Sequence, residues 1–383
     1  MAAAALSWTD WLLGWRDRLL SSPAFHRAAS GFPLTRPLAH RHAREVFDLV
    51  AGFVYSQVLA ACVKLDLFRT LSHGPQSLSA LAKRFEMSNE AAGRLLAAAQ
   101  SLKLVEQRGV DASGEPRYGL GRLGAPLVGN EAVIAMVEHH AVLYADLADP
   151  LALLRGSGPP PSLSDYYPYT ADEASTRAAE ISPEKVASYS RLMSASQPLV
   201  AAEILDAFSF NGYRHLLDVG GGEGRFLVSV SERTPQLKMT LFDLPPVASN
   251  ARQRFQSAGI ADRAEAVGGN FLADELPRGA DIASLVRVIH DHDDARATTI
   301  LTSIRRALPT GGTLVLAEPM SGTPGAEAMG DAYFGFYLLA MGRGQARTAE
   351  QLTALLQACG FGKVRMLPTR IPLQVRMLVA EAV

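Results

Sequence analysis

Apolar positions change their period once along this chain. Through residue 211 they recur every three or four residues, as in amphipathic helices; from residue 212 short apolar runs alternate with helical stretches. Trp8, Trp11, Leu12, Leu13, Trp15, Leu19 and Leu20, with Arg16 and Arg18 between them, predict a helical arm within residues 1–44. It continues through Phe25, Phe32 and Leu34 to a basic cluster, Arg36, His40, Arg41, His42 and Arg44. Val46, Leu49, Val50, Phe53, Val54, Val58, Leu59 and Val63 predict a helix with a wide apolar face. Its uncharged run, Leu49–Val63, is too short to cross a bilayer core of about 30 Å, so a buried helix is expected. Ser77 and Ser88 are cap signals for helices running to Phe85 and over Asn89–Leu102. The turn Asp111–Pro116 separates Leu104–Arg108 from Arg117–Leu120. Helices followed by a two-stranded ribbon make residues 45–130 a winged-helix pattern. Residues 131–211 read as a helical linker and lid carrying acceptor-site helices, broken at Gly156–Pro161 and Asp165–Thr170. Helix resumes over Ser182–Phe208, with Tyr189, Met193, Gln197 and Val200 along one face.

From residue 212 to 383, strands are expected at 215–219, 238–244, 264–271, 281–289, 313–317, 363–367 and 375–380. Helices are expected at 225–233, 248–258, 295–308 and 348–359. Such alternation makes the fold class α/β, a mostly parallel seven-stranded sheet with helices on both faces. Ligands of such sheets lie beyond the carboxyl ends of the strands.

Composition adds limits. With 48% hydrophobic and 20% charged residues, the 383-residue chain is a globular protein rather than a disordered one. The net charge of −1 argues against a general polyanion binder. Residues 1–110 carry 13 Lys/Arg and 8 Asp/Glu, a balance of +5, which leaves −6 for the remainder. A DNA reading of the winged helix fails on its last helix, which offers only Arg94, Gln100 and Lys103. A dimerisation module, hence a homodimer without nucleic acid, is the expectation. Cys62 and Cys359 are too few for a disulfide scaffold, and no signal peptide opens the chain, so a cytoplasmic setting is expected. The tryptophan-rich arm fits a helix packed on a partner subunit, or an interfacial helix in peripheral contact with a membrane.

The chemistry starts after the first strand, at Asp218-Val-Gly220-Gly221-Gly222-Glu-Gly224. A dinucleotide loop read from Gly220 would need its last glycine where Arg225 stands, so the nicotinamide reading fails. An acidic residue at the loop suits a cationic amino-acid moiety better than a pyrophosphate. The spacing acidic-x-Gly-x-Gly-x-Gly resembles motif I of class I S-adenosylmethionine-dependent methyltransferases. S-adenosyl-L-methionine is the cofactor that this implies, held by Asp218, Gly220, Gly222 and Gly224. Asp243, 19 residues past Gly224, ends the second strand where a carboxylate can accept ribose hydroxyls.

Gly268-Gly-Asn-Phe271 resembles the G-D-x-F segment of O-methyltransferases of the plant and acetylserotonin type. The family's adenine-contacting Asp falls at Gly269, which leaves Asn270 to substitute and Phe271 to stack near the adenine. Arg287 is expected to join the cofactor-binding set. His290-Asp-His292-Asp-Asp294 resembles the family's H-D-W-x-D segment, with His292 where Trp is usual, and this makes His290 the general base. An imidazole can take the acceptor's proton at neutral pH. A metal site at His290 and His292 matches no recognised spacing, and none is expected. The resemblance places Glu318 beside the base. A second family glutamate falls at Ala346, before Arg347-Thr348, which leaves Asp291 or Asp331 to orient His290. The aromatic stripe holding Tyr333, Phe334 and Tyr337 reads as core or as acceptor pocket, and with Met193 and Gln197 it forms the expected substrate-binding set.

The resemblance covers residues 45–383. Phe32–Pro37, Glu45–Gln57 and Val286–Asp293 further resemble carotenoid 1-hydroxy O-methyltransferases of phototrophic bacteria. This implies methyl transfer to the tertiary hydroxyl of an acyclic carotenoid, as in spheroidene- and spirilloxanthin-type biosynthesis. Methylation of a bacteriochlorophyll precursor or of a phenolic or polyketide hydroxyl is the competing reading. A winged-helix regulator that senses S-adenosylmethionine without catalysis is the competitor from another class.

Overall fold

The computed structural model describes residues 8–166, 197–372 and 374–383. They belong to two compact units, Met1–Gly129 and Asn130–Val383. The first opens with α1 (Trp8–Leu20), α2 (Pro23–Gly31) and the 29-residue α3 (Arg36–Lys64), then α4 (Leu67–Ser72). Ser22 caps α2 by accepting from Phe25 N, and Pro23 fits at N1, where no N–H is needed. A two-residue strand β1 (Gln76–Ser77) precedes α5 (Leu78–Arg84) and α6 (Asn89–Ser101). Ser77 and Ser88 cap α5 and α6 as expected. Strands β2 (Val105–Val110) and β3 (Pro116–Leu120) form the ribbon, and β1 pairs with β3 to make a three-stranded sheet where two strands are expected. Leu67, Phe68, Leu71, Leu81, Leu96 and Val105 are its buried core.

The expectation of a buried helix over Leu49–Val63 is corrected. That run is the second half of α3, whose only buried residues are Cys62 and Val63. Leu49 is 85% exposed and Phe53 68%. By length and composition alone α3 could also cross a membrane. Hydrophobic periodicity reports that a face is apolar, not that the same chain covers it.

The second unit begins with α7 (Glu131–Asp146) and α8 (Pro150–Arg155). Helix resumes at residues 197–207, here α9. Tyr189 and Met193, with most of the expected helix Ser182–Phe208, lie outside the described residues. The sheet has the order β6-β5-β4-β7-β8-β10-β9. Its strands are β4 (His215–Val219), β5 (Lys238–Asp243), β6 (Ala264–Gly268), β7 (Ile282–Val286), β8 (Thr313–Glu318), β9 (Phe361–Leu367) and β10 (Arg376–Ala382). Pairing is parallel from β6 through β8, and β10 runs antiparallel to both β8 and β9.

Successive strand residues point to opposite faces, and each face has its own core. Leu217, Leu285 and Leu316 pack with α12 (Asp294–Ala307) and α14 (Ala349–Ala358). Leu216, Leu241 and Val315 pack with Ile204 of α9, Phe226 of α10 (Arg225–Arg233) and Phe255 of α11 (Pro245–Ser257). A seven-residue π-helical segment, Ala328–Phe334, leads into α13 (Gly335–Met341).

Two strands end three residues earlier than expected. Strand β6 stops at Gly268 because the Asp274 carboxylate takes Asn270 N at 2.7 Å and draws the chain into a turn. Strand β7 stops at Val286 because Arg287 adopts φ +59°, off the extended path. The strand order reverses between β4 and β7, which opens a crevice at their carboxyl ends.

Candidate active site

The carboxyl ends of β4 through β8 bring the expected chemistry to one edge of the sheet. Asp218, buried in β4, accepts Ser284 Oγ of β7 on Oδ1 at 2.6 Å. Its Oδ2 is buried without a partner among the described residues. Burial pushes this carboxyl up to about 7, against the lowering effect of Ser284, while the nearby Asp243 charge raises it further. Its unpartnered oxygen suits a cationic or hydrogen-donating ligand group.

The glycines beyond Asp218 form a cradle. Gly220, at φ +70°, would bring a Cβ to 2.8 Å from Val288 Cγ2, and Gly224, at φ +80°, to 2.5 Å from Phe255 Cε1. Gly222, at φ +59°, faces open space. Its N–H donates to Asp243 Oδ2 at 2.8 Å, and Leu244 N donates to Asp243 Oδ1 at 2.7 Å. The backbone thus orients the Asp243 carboxylate and leaves further lone pairs to receive hydroxyls. Burial raises this carboxyl to about 6, in spite of those two hydrogen bonds. An unpartnered carboxylate oxygen, a glycine loop whose one side chain, Glu223, is paired with Arg254 at 2.6 Å, and a second fixed carboxylate fit the cationic amino-acid and ribose parts of S-adenosylmethionine.

Asn270 Oδ1 accepts Leu272 N at 3.0 Å, so its carbonyl already closes a turn. Phe271 stands edge-on to His292, ring centres 5.5 Å apart. Burial drives His292 down to about 4, so this ring is neutral where the family has a tryptophan.

His290 sits in a 3₁₀ turn (Ile289–Asp291) directly after β7. It is buried, and a carboxylate faces each ring nitrogen. Asp291 Oδ1 lies 3.2 Å from Nε2, and Glu318 Oε2 lies 3.4 Å from Nδ1. Glu318, 1% exposed at the end of β8, also accepts His290 N at 3.2 Å. Burial by itself would lower the imidazole pKa. The Asp291 and Glu318 carboxylates outweigh it and hold His290 above its usual range. Asp331 is exposed, so of the two candidates for the missing glutamate's role, Asp291 is the one beside the ring. Arg287 opposes the protonation of His290, and its left-handed backbone is a conformation that collects at functional sites.

The aromatic stripe is tied to α7. Tyr337 OH lies 3.0 Å from buried His139 Nε2, and Tyr333 OH lies 2.8 Å from His140 Nε2. Tyr333 and Tyr337 stack at 5.8 Å, and Phe334 meets Tyr333 edge-on at 5.1 Å. Burial lowers His139 to about 4 and keeps it neutral. Gln197 is half-buried, with Oε1 unpartnered among the described residues. Sequence reading missed Ser284, His139 and His140, because each is recognisable only by a partner distant along the chain.

Residues 144–362 match the O-methyltransferase domain family, and residues 47–130 match the O-methyltransferase dimerisation domain. The chain is similar to a demethylspheroidene O-methyltransferase of Cereibacter sphaeroides, 41% identical over 351 residues, covering 92% of this chain and 90% of the relative. It is similar to the Rhodobacter capsulatus protein of the same name, 36% identical over 365 residues, covering 95% and 88%. Among solved structures, human N-acetylserotonin methyltransferase in complex with S-adenosylmethionine shares the fold. Its TM-score is 0.70 at 24% identity, covering 89% of this chain and 97% of that one.

Proposed function

This chain belongs to the S-adenosylmethionine-dependent O-methyltransferase family, dimerisation domain included, and on that premise we propose that its acceptor is the tertiary 1-hydroxyl of an acyclic carotenoid and His290 its general base. The observation that carries the acceptor is the 41% identity over 92% of the chain to a demethylspheroidene O-methyltransferase. The base assignment rests on His290 lying between two carboxylates at the crevice.

S-adenosylmethionine supplies the methyl group as a sulfonium electrophile. Asp218 would hold the cationic end of that molecule and Asp243 its ribose hydroxyls, and Gly220, Gly221, Gly222 and Gly224 would let it approach the backbone while Glu223 stays paired with Arg254. Asn270, Phe271 and Arg287 complete this wall. A tertiary hydroxyl is not ionised at neutral pH, so its proton leaves as the new C–O bond forms. His290 Nε2, on the side of the less buried carboxylate, takes that proton. Glu318 holds the tautomer with hydrogen on Nδ1, and Asp291 stabilises the imidazolium. The 3.4 Å separation at Nδ1 suits a ligand-free site, where catalytic hydrogen bonds are often long. Gln197, Tyr333, Phe334 and Tyr337 are assigned to the acceptor side; Met193, expected with them, lies outside the described residues.

Labelled S-adenosylmethionine offered with hydroxycarotenoids, chlorophyllides or phenols tests the acceptor. Label is expected in the hydroxycarotenoid. Faster labelling of a phenol or a chlorophyllide would overturn the assignment, and no transfer to any of them would favour a non-catalytic sensor.

We further propose a cytoplasmic homodimer that touches the membrane dissolving its substrate. On α1, Trp8 is 74% exposed and Trp11 and Trp15 more than half. Their spacing puts all three on one helix face, and the exposed Arg16 and Arg18, the first paired with Asp17 at 2.8 Å, would turn to anionic headgroups at a membrane. Deletion of residues 1–30 is expected to abolish flotation with anionic liposomes while leaving turnover of a detergent-solubilised acceptor. Undiminished flotation would refute the membrane contact, and loss of the dimer instead would assign the arm to the partner subunit.

A further inference from the structure

We infer that Arg347 is the positioning residue that sets the catalytic turn around His290. This guanidinium is 2% exposed, and four acceptors surround it. Nη1 donates to Ile289 O at 3.1 Å and to Gln345 O at 3.3 Å, Nη2 donates to His292 O at 2.8 Å, and Nε donates to Asp294 Oδ1 at 2.8 Å. Ile289 and His292 bracket His290 and Asp291, so one side chain grips both flanks of the turn. The backbone beside Arg347 completes the grip. Gln345 N donates to His290 O at 2.8 Å, and a Cβ on Gly344 would come within 2.9 Å of that oxygen. Arg347 O accepts Ser321 N at 3.0 Å, three residues past Glu318. Arg347 therefore spans the two segments whose spacing sets the His290–Glu318 contact.

A buried cation is costly unless its donors are met, and here carbonyls and one carboxylate meet them. Those carbonyls cannot bond one another, so the turn needs a donor with several arms. The planar fork of arginine supplies five N–H groups in fixed directions, whereas a lysine ammonium is a point that cannot reach Ile289, His292 and Asp294 together.

The inference rests on His290 being the base, and the experiment separates the two. Arg347→Lys and Arg347→Ala are assayed for kcat, KM, S-adenosylmethionine affinity, thermal stability and the pH dependence of kcat, beside His290→Ala. A misplacement of about 1 Å can cost about 100-fold in rate. For Arg347→Lys we therefore expect a kcat loss of about that size. KM and cofactor affinity should stay near wild type, with the pH inflection displaced toward that of an ordinary histidine. Millimolar guanidinium should restore part of the activity of Arg347→Ala. Wild-type kcat and pH profile in Arg347→Lys would overturn the inference. So would a loss shared equally by kcat, cofactor affinity and melting temperature without guanidinium rescue, which marks a purely structural residue. If neither variant folds, Asp294→Asn carries the test from the surface: it should lower kcat and move the inflection the same way, and an unchanged profile would refute the role. Full activity in His290→Ala would sink the base reading itself, whatever Arg347 does.

Discussion

Replacing His290 by alanine is expected to slow methyl transfer by about 10²–10⁴-fold, the range a positioned acid–base group contributes. Binding of S-adenosylmethionine should survive, because Asp218, Asp243 and the glycine loop stand on other strands. Titration calorimetry beside turnover separates the two effects. The pH dependence carries a second signature. Only the neutral imidazole can accept a proton, and Asp291 and Glu318 hold His290 protonated to higher pH than an isolated histidine. The rate therefore rises with pH through an inflection above the usual 6.5. Glu318→Gln removes one of the two charges that raise the ring, so its inflection moves to lower pH while the maximal rate falls. Wild-type turnover in His290→Ala would contradict the base assignment, and an unmoved inflection in Glu318→Gln would remove Glu318 from it.

The second large effect is a split between binding and stability at Asp218. Its folded-state pKa is about 7 against 3.8 for a free aspartate, so between those values the folded chain holds a proton that the unfolded chain has lost. Ligand-free stability therefore declines as pH rises through that window and stays lower above it. Asp218→Asn keeps an oxygen to accept Ser284 Oγ and removes the buried charge. The variant is expected to melt higher than wild type near pH 8 without ligand. It should bind S-adenosylmethionine about 10- to 100-fold more weakly, since a hydrogen bond to a charged group is worth about 1.5–3 kcal/mol. Wild-type cofactor affinity in Asp218→Asn would show that this carboxylate is not where the cation binds.

What the sequence made legible was local. Asp218, the glycines and Asp243 lie within 26 consecutive residues, and the strand–turn–helix pattern alone places them at the crevice. His290 and Asp291 are adjacent, and Glu318 ends the next strand, so their meeting follows from parallel pairing of β7 with β8. The rest depends on tertiary partners. Arg347 reaches His292 across 55 positions, Ser284 reaches Asp218 across 66, and Tyr337 reaches His139 across 198. No periodicity marks such pairs. The exposed face of α3 illustrates the converse, since the apolar pattern was legible but the absence of a cover from the same chain was not. From residue 47 onward that helix lies within the match to the O-methyltransferase dimerisation domain.

The most direct test is the product itself. The purified dimer, given S-adenosylmethionine labelled in its methyl group and a 1-hydroxycarotenoid in detergent, should yield a carotenoid heavier by one labelled methylene, with the label in a methyl ether on the tertiary oxygen. His290→Ala under the same conditions should yield none above background. Label on carbon, or on a phenol in preference to the carotenoid, would contradict the account.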